Sequence, residues 1–237
     1  MNYYVSFINK MDVVMNHLSK ITKHNHLVQA SYKLSLTGQR VFLLLLSKIN
    51  PHQKLEDYYE VTAEEVAKIY NVSPKVAYRD LKNGLDEWYN ADIRLNDFEL
   101  KILTRRRIVD EAKYHYGEAK ASVSFPEKLR PFLCEMHDKY TQYRIGQVSN
   151  LKSTYSIRLF ELMIQFKSTG DRIITLKNLR DWFRIEKKYI RYADLNKWVI
   201  KPAITELNAK TNLFIKYTII KHGRNVHTLS FTFNEEY

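Results

Sequence analysis

The chain is 237 residues long, 45% apolar, poor in glycine (6) and proline (5), and carries one cysteine, Cys134. That composition supports a buried core in one or two domains; it argues against disorder, a turn-rich all-β barrel, an internal disulfide and a cysteine-rich zinc site. The net charge of +12 points to an anionic partner, and its placement says more than its total. Residues 1–149 hold 22 basic against 18 acidic residues, whereas residues 150–237 hold 16 against 8. Within 187–224 nine basic residues face only Asp194 and Glu206. Solubility accounts for scattered charge; a basic footprint gathered in one region is what phosphate neutralisation needs. Residues 1–10 have no signal-peptide pattern, and the longest apolar run, 41–46, is too short to span a membrane, so a soluble intracellular protein is expected.

Residues 1–20 read as a partly apolar extension. The spacing of Val41, Leu44 and Leu45 predicts a helix over 34–49, with Ser35 or Thr37 as its cap. Val61-Thr62-Ala63-Glu64-Glu65-Val66 is a helix start: Thr62 can cap the Glu65 amide, Glu65 can reach back, and Val61 and Val66 form an apolar staple. That helix ends near Tyr70, Asn71-Val72 turns, and Ser73-Pro74 opens the next helix with a cap and an N1 proline. Its apolar stripe is Val76, Ala77, Leu81, Leu85 and Trp88. Two short helices joined by a tight turn make a helix-turn-helix. Ile93, Leu95, Phe98 and Leu100 then read as strand in a long hairpin region, 91–125, and a short connecting helix is expected from Pro126-Glu127-Lys128-Leu129.

The same order recurs 113–118 residues later. A helix over 156–166 pairs Val41 with Leu159, Phe42 with Phe160 and Leu44 with Leu162. Ile174-Thr175 stands where Val61-Thr62 stood, and Leu179, Phe183 and Ile185 replace Val66, Tyr70 and Val72. A long helix over 192–210 follows, striped by Leu195, Val199, Ala203 and Leu207, and then strands over 213–220 and 226–233. Helix, strand, helix, helix and hairpin is the winged-helix order. The expected fold class is therefore α+β, mostly helical, with two tandem winged-helix domains. The expected boundaries are 1–20 for the extension, 21–138 for the first domain and 139–237 for the second.

A helix in the major groove meets base edges through its N-terminal half. Burying the stripe of the 192–210 helix leaves Asn196, Lys197, Lys201 and Thr205 outward, the last three spaced i, i+4, i+8 along one ridge. The preceding turn supplies Lys187, Lys188 and Arg191, and Tyr189 and Tyr192 are placed to donate to phosphate. Lys221, His222 and Arg224 belong to a hairpin tip that would straddle the neighbouring backbone. A solvated helix face explains the helix alone equally well; the wing favours DNA. In the first copy Lys75, Tyr78, Arg79 and Lys82 hold comparable positions, and Arg105-Arg106-Arg107 lies in the hairpin region, but charge there is nearly balanced. Pro202 removes one backbone hydrogen bond and should kink its helix. Trp88, Trp182 and Trp198 lie on or beside apolar stripes and are expected in the core.

The second copy also resembles a known family. Ser153-Thr154-Tyr155-Ser156-Ile157-Arg158-Leu159-Phe160-Glu161-Leu162 is similar to the L-x-S-x-Y-x-x-R-L-Y-E-L segment of iteron-binding plasmid replication initiators. Leu179-Arg180 matches the helix that follows, and Val199-Ile200-Lys201-Pro202-Ala203-Ile204, Glu206-Leu207-Asn208 and Lys221-His222-Gly223-Arg224 match the recognition helix and wing. Leu207 departs mildly, since the family often has isoleucine there. The resemblance is strong over 150–233 and weaker over 50–135. It implies a cytoplasmic, plasmid-encoded bacterial protein that binds repeated origin sites in duplex DNA as a monomer and helps to open the duplex. It also implies a dimer that represses its own gene, and recruitment of the host initiator and replicative helicase.

Enzymatic readings find little support. No glycine is followed by lysine, so there is no phosphate-binding P-loop, and the glycines are too far apart for Gly-x-Gly-x-x-Gly. His24-Asn25-His26 lacks the bulky residue between its histidines that a rolling-circle nicking initiator needs, and reads as a surface loop. No catalytic residue, metal or cofactor is expected. The rival readings are a winged-helix transcriptional repressor without a role in replication and, behind it, a nicking initiator.

Overall fold

The computed structural model describes residues 19–97, 101–136 and 138–235. The expected extension thus lies outside the described residues save Ser19 and Lys20, as do Phe98 and Leu100. In chain order the elements are β1 (Lys20–His24), α1 (Asn25–Gln29), α2 (Leu36–Leu46), β2 (Tyr59–Thr62), α3 (Ala63–Tyr70), α4 (Pro74–Asn90), β3 (Asp92–Asp97), β4 (Ile102–Arg107), β5 (Glu111–His115) and β6 (Lys120–Ser124). There follow α5 (Arg130–Leu133), β7 (Tyr140–Arg144), α6 (Gly146–Ser149), α7 (Thr154–Ile164), β8 (Asp171–Thr175), α8 (Leu176–Trp182), α9 (Tyr192–Leu195), a π turn (Asn196–Ile200), α10 (Lys201–Lys210), β9 (Leu213–His222) and β10 (Asn225–Glu235). Among the described residues no helix is long and apolar enough to cross a membrane.

Two compact units share the chain, and they interleave. Of the described residues, unit 1 takes Ser19–His24, Leu34–Asp92 and those of 106–150; unit 2 takes Asn25–Lys33, those of 93–105 and those from Leu151 to Glu235. The boundary placed near residue 138 falls within unit 1, because β7 pairs antiparallel with β1 instead of leading into the second copy.

Local chemistry explains unit 1. Ser35 caps α2 by accepting from the Gly38 amide, and Thr62 and Glu65 form the expected capping box on α3. Asn71, at φ 49, takes the left-handed conformation that closes α3, which asparagine tolerates better than most residues. Ser73 precedes Pro74 at the start of α4 but makes no side-chain cap bond, so the proline alone carries that start. Gly84 looks wasteful inside a 17-residue helix, where glycine costs about 1 kcal/mol against alanine. A β-carbon there would stand 2.7 Å from Val41 Cγ2, so the glycine lets α2 and α4 approach. Trp88 is fully buried beside it, packs on Phe42, and donates from Nε1 to the Gly38 carbonyl at 2.6 Å. The long hairpin region resolves into two: β3–β4, and β5–β6, which joins β2 in a sheet of order β2-β6-β5.

Unit 2 repeats that plan with sheet order β8-β10-β9: the strand between the first two helices pairs with the second strand of the wing in both units. Ser153 caps α7 and Thr175 caps α8. The Arg158 and Glu161 side chains are buried on α7 and paired at 3.3 Å. Arg158 also donates to the Tyr32 hydroxyl (2.6 Å) and the Ala30 carbonyl (2.7 Å), which binds the 25–33 segment into this unit. Ser31 and Arg94 exchange backbone hydrogen bonds at 2.8 Å, adding the β3 strand to the same unit. Both units are thus winged helices, as expected, and among the described residues 42% are helical and 29% are strand.

Candidate nucleic-acid interface

The helix over 192–210 is helical throughout but not regular. Pro202 has no N–H to give to the carbonyl four residues back, and its ring crowds that carbonyl. The chain answers one turn earlier: the Lys201 amide donates to Asn196 O, five residues back, and 196–200 widens into a π turn. The extra residue rotates what precedes it. Trp198 leaves the apolar stripe and stands 57% exposed, which corrects its expected place in the core; Trp88 and Trp182 are buried as expected. Lys197 Nζ lies 4.8 Å from the Trp198 ring centroid, within cation–π range.

The expected contacts divide into two groups. Lys197, Lys201 and Thr205 are exposed and line one shallow, open concavity with Lys152, Ser153, Pro202, Glu206 and Lys210. The ridge predicted from i, i+4 spacing therefore survives the π turn. Lys187 and Lys188 are exposed in the turn before α9. The others of this region are engaged within the protein. Asn196, expected outward, is half-buried, because Tyr217 on β9 donates to its Oδ1 at 2.6 Å. Tyr192 bonds the same Tyr217 hydroxyl; burial first, and then that tyrosine, push its phenol up to about 12. Tyr189, at φ 51, has its phenol bonded to Tyr155, while Arg180 donates at 2.9 Å to the carbonyls of Tyr189 and Ile190. Arg191 pairs with Asp194 at 2.9 Å. These four each make a contact within the protein that shapes the helix start.

The wing is a tight hairpin. His222 faces Asn225 across a two-residue turn whose first residue, Gly223, has φ 61, the position where a type II′ turn takes glycine. Lys221, His222 and Arg224 are all exposed there. At its base Asn208 on α10 accepts from the Ile215 amide (2.8 Å) and donates to the Ile215 carbonyl (3.0 Å), tying helix to wing strand.

In unit 1 Lys75, Tyr78, Arg79 and Lys82 are all exposed on α4, but Arg79 pairs with Asp80 at 3.1 Å. Tyr78 and Lys82 line a cleft with Tyr114, His115, Tyr116 and Lys120 of the first wing. Arg106 donates to the Lys128 carbonyl and Arg107 to that of Tyr89, so neither guanidinium is free. His24 and His26 sit at a β1–α1 junction rather than in a loop, with His24 edge-on to Phe132. Among the described residues no group of three or more His, Cys, Asp or Glu is placed to hold a metal.

The sequence reading missed Lys152, Lys210 and Trp198. The lysines flank the segments it compared with the family, but nothing in a linear pattern shows that α7 begins beside α10. Trp198 could have been suspected from Pro202, had the kink been expected as an inserted residue.

The family model described as "Initiator Replication protein, WH1" matches residues 20–164, and "Initiator Rep protein, WH2" matches 175–233. An Escherichia coli "Replication initiation protein" is 25% identical over 220 residues, covering 89% of this chain and 68% of its own. The Escherichia coli "PI protein" is 26% identical over 259 residues, covering 94% and 84%. Among solved structures, the Pi initiator protein crystallised with iteron DNA superposes with a TM-score of 0.81 at 24% identity, covering 93% of this chain and 99% of that one, which establishes the shared fold. The chain belongs to the initiator replication protein family, with one WH1 and one WH2 domain.

Proposed function

We propose that the protein initiates plasmid replication by binding repeated origin sequences in duplex DNA, with unit 2 as the main reader and unit 1 as a second contact. The observation that carries this reading is the unpartnered basic surface of unit 2. Lys201, Lys187, Lys188, Lys221 and Arg224 have no ion pair among the described residues, and they lie on the helix, the turn and the wing of one winged helix. Lys197 and Lys201 meet base edges in the major groove, and Arg224 and Lys221 lie over phosphate. A bacterial cytoplasmic site of action follows from that role. The dimer that represses its own gene, the opening of the duplex by the monomer and the recruitment of host initiator and helicase complete the reading; the relatives' names support its first step.

A footprint across the gene's own upstream region tests it. Regularly spaced direct repeats are expected; one lone palindrome would replace the initiator with a repressor. Binding should weaken about a thousandfold or more between 50 and 200 mM salt if on the order of 6–10 phosphates are neutralised. A flat salt response removes the phosphate contacts. Supercoiled origin DNA incubated with Mg²⁺ or Mn²⁺ should stay supercoiled; a nick lost in His24→Ala would instead revive the rolling-circle reading.

A further inference from the structure

Glu206 is one of two acidic residues in the basic stretch 187–224, and the interface described above gives it no role. Its carboxylate sits on α10 in the same concavity as Lys197, Lys201 and Thr205. An acid facing DNA repels it, yet this one is not turned out: its side chain is only 14% exposed. Oε1 accepts from the Lys152 amide at 2.8 Å and from Lys210 Nζ at 2.7 Å. Oε2 accepts from the Ser153 amide at 3.2 Å and the Ser156 hydroxyl at 2.7 Å. Four donors fill the acceptor sites of a carboxylate. Burial pushes this carboxyl up, but Lys210, Ser156 and the Lys152 amide together hold it below the usual range. The donors on Lys152, Ser153 and Ser156 belong to the start of α7, where a negative charge also favours the helix dipole. Glu206 occupies the Lys152 and Ser153 amides, Ser153 Oγ accepts from those of Tyr155 and Ser156, and the Lys152 side chain beside them is exposed.

We propose that Glu206 is a positioning residue for DNA binding, which fastens the start of α7 to the recognition helix so that Lys152 becomes a phosphate contact on the side of that helix away from the wing. This rests on the interface assigned to unit 2. The interface then spans three elements: the turn and helix of 187–205, the wing, and the first helix of the unit. Glu206 and Asn208 hold the recognition helix from its two sides, Glu206 toward α7 and Asn208 toward β9.

The proposal predicts the reverse of simple electrostatics. Glu206→Gln removes a negative charge beside DNA and the ion pair with Lys210, so charge alone predicts tighter binding. Positioning predicts weaker binding. The test uses the full chain, a duplex carrying the repeat protected in the footprint, and a random duplex of equal length, each across a salt series. Glu206→Gln should weaken binding about three- to tenfold on both duplexes, comparable to one lost phosphate contact, and Lys152→Ala should lower the salt slope by about 0.9. In the Lys152→Ala background Glu206→Gln should add little, because both changes remove one contact. Equal or tighter binding by Glu206→Gln overturns the proposal, and so does full additivity with Lys152→Ala. A silent Lys152→Ala beside weakened Lys197→Ala and Lys201→Ala overturns it while leaving the interface intact; if those two are silent as well, the interface itself is wrong. Circular dichroism melts accompany each variant. Should Glu206→Gln fail to fold, Ser156→Ala removes one of the four donors and keeps the carboxylate. It should then show a smaller loss in the same direction, and unchanged binding overturns the proposal.

Discussion

The two units are built on one plan and differ in how they spend their charge. Both order the sheet as strand, second wing strand, first wing strand, and both place a helix beside a wing. In unit 1 the wing's cations face carboxylates on their own sheet: Lys113 with Glu111 at 3.4 Å, and Lys120 with Glu118 at 3.0 Å and Glu60 at 3.4 Å. In unit 2 the wing tip holds Lys221 and Arg224 with no ion pair among the described residues. The helices differ as well. The α4 helix runs 17 residues without interruption and buries its tryptophan, whereas α9–α10 carries a π turn and exposes one. The lesson is that a count of lysines and arginines does not show which cations remain after internal pairing; the ion pairs do.

The largest expected difference is between the tryptophans. Trp88→Ala should destabilise unit 1 by about 3–5 kcal/mol, since it empties a packed site and removes the hydrogen bond to the Gly38 carbonyl. Trp198→Ala should change stability by no more than about 0.5 kcal/mol. Urea melts of both variants check this, and a strongly destabilising Trp198→Ala would mean that the π turn depends on the ring.

Next in size are the groove lysines. Lys197→Ala and Lys201→Ala should each cost about 1–3 kcal/mol on the protected repeat and less on random DNA, so that the specificity ratio shrinks. Lys75→Ala and Lys82→Ala on α4 should cost less on both DNAs. Equal losses from the two helices, measured by fluorescence anisotropy, would erase the contrast between the units. Equal losses on both DNAs for Lys197 and Lys201 would lay α9–α10 along the backbone instead of in the groove.

A finer effect is expected at the wing. Arg224→Ala should weaken cognate and random DNA nearly alike and lower the salt slope by about one. A change in sequence preference would make the wing the reader, in the minor groove.

The smallest effect concerns pH. The Glu206 carboxyl is held below its ordinary value in the folded protein. Its contribution to stability is therefore complete above the unfolded carboxylate range and is lost as pH falls through the depressed folded value. Thermal melts between neutral and acidic pH should show the wild type losing more stability in that window than Glu206→Gln. A variant as acid-sensitive as the parent would show that the carboxylate is not held by these donors.

Much of the fold was legible because its signals are local. Caps, staples and stripes depend on residues three or four apart, so Thr62 and Glu65, Ser35 and Thr175 stand where their sequence put them. The repeat was legible because each copy must bury the same faces. The charge asymmetry pointed to the second copy, and family-like motifs over 153–224 named the class of ligand. What the linear pattern could not hold was any pairing across distance. The β1–β7 pair moved 140–144 into unit 1, and Arg158 drew residues 30–32 into unit 2; both rest on partners more than 110 residues apart. The phase of the 192–210 helix was likewise decided in three dimensions, where a proline without an N–H met a tyrosine from another strand. Amino-acid order thus determined which segments are helix, strand and wing, since those choices are made within one turn of chain. Packing decided which polar groups are already satisfied, and so which are left for DNA, because a donor is free only when no distant acceptor has taken it.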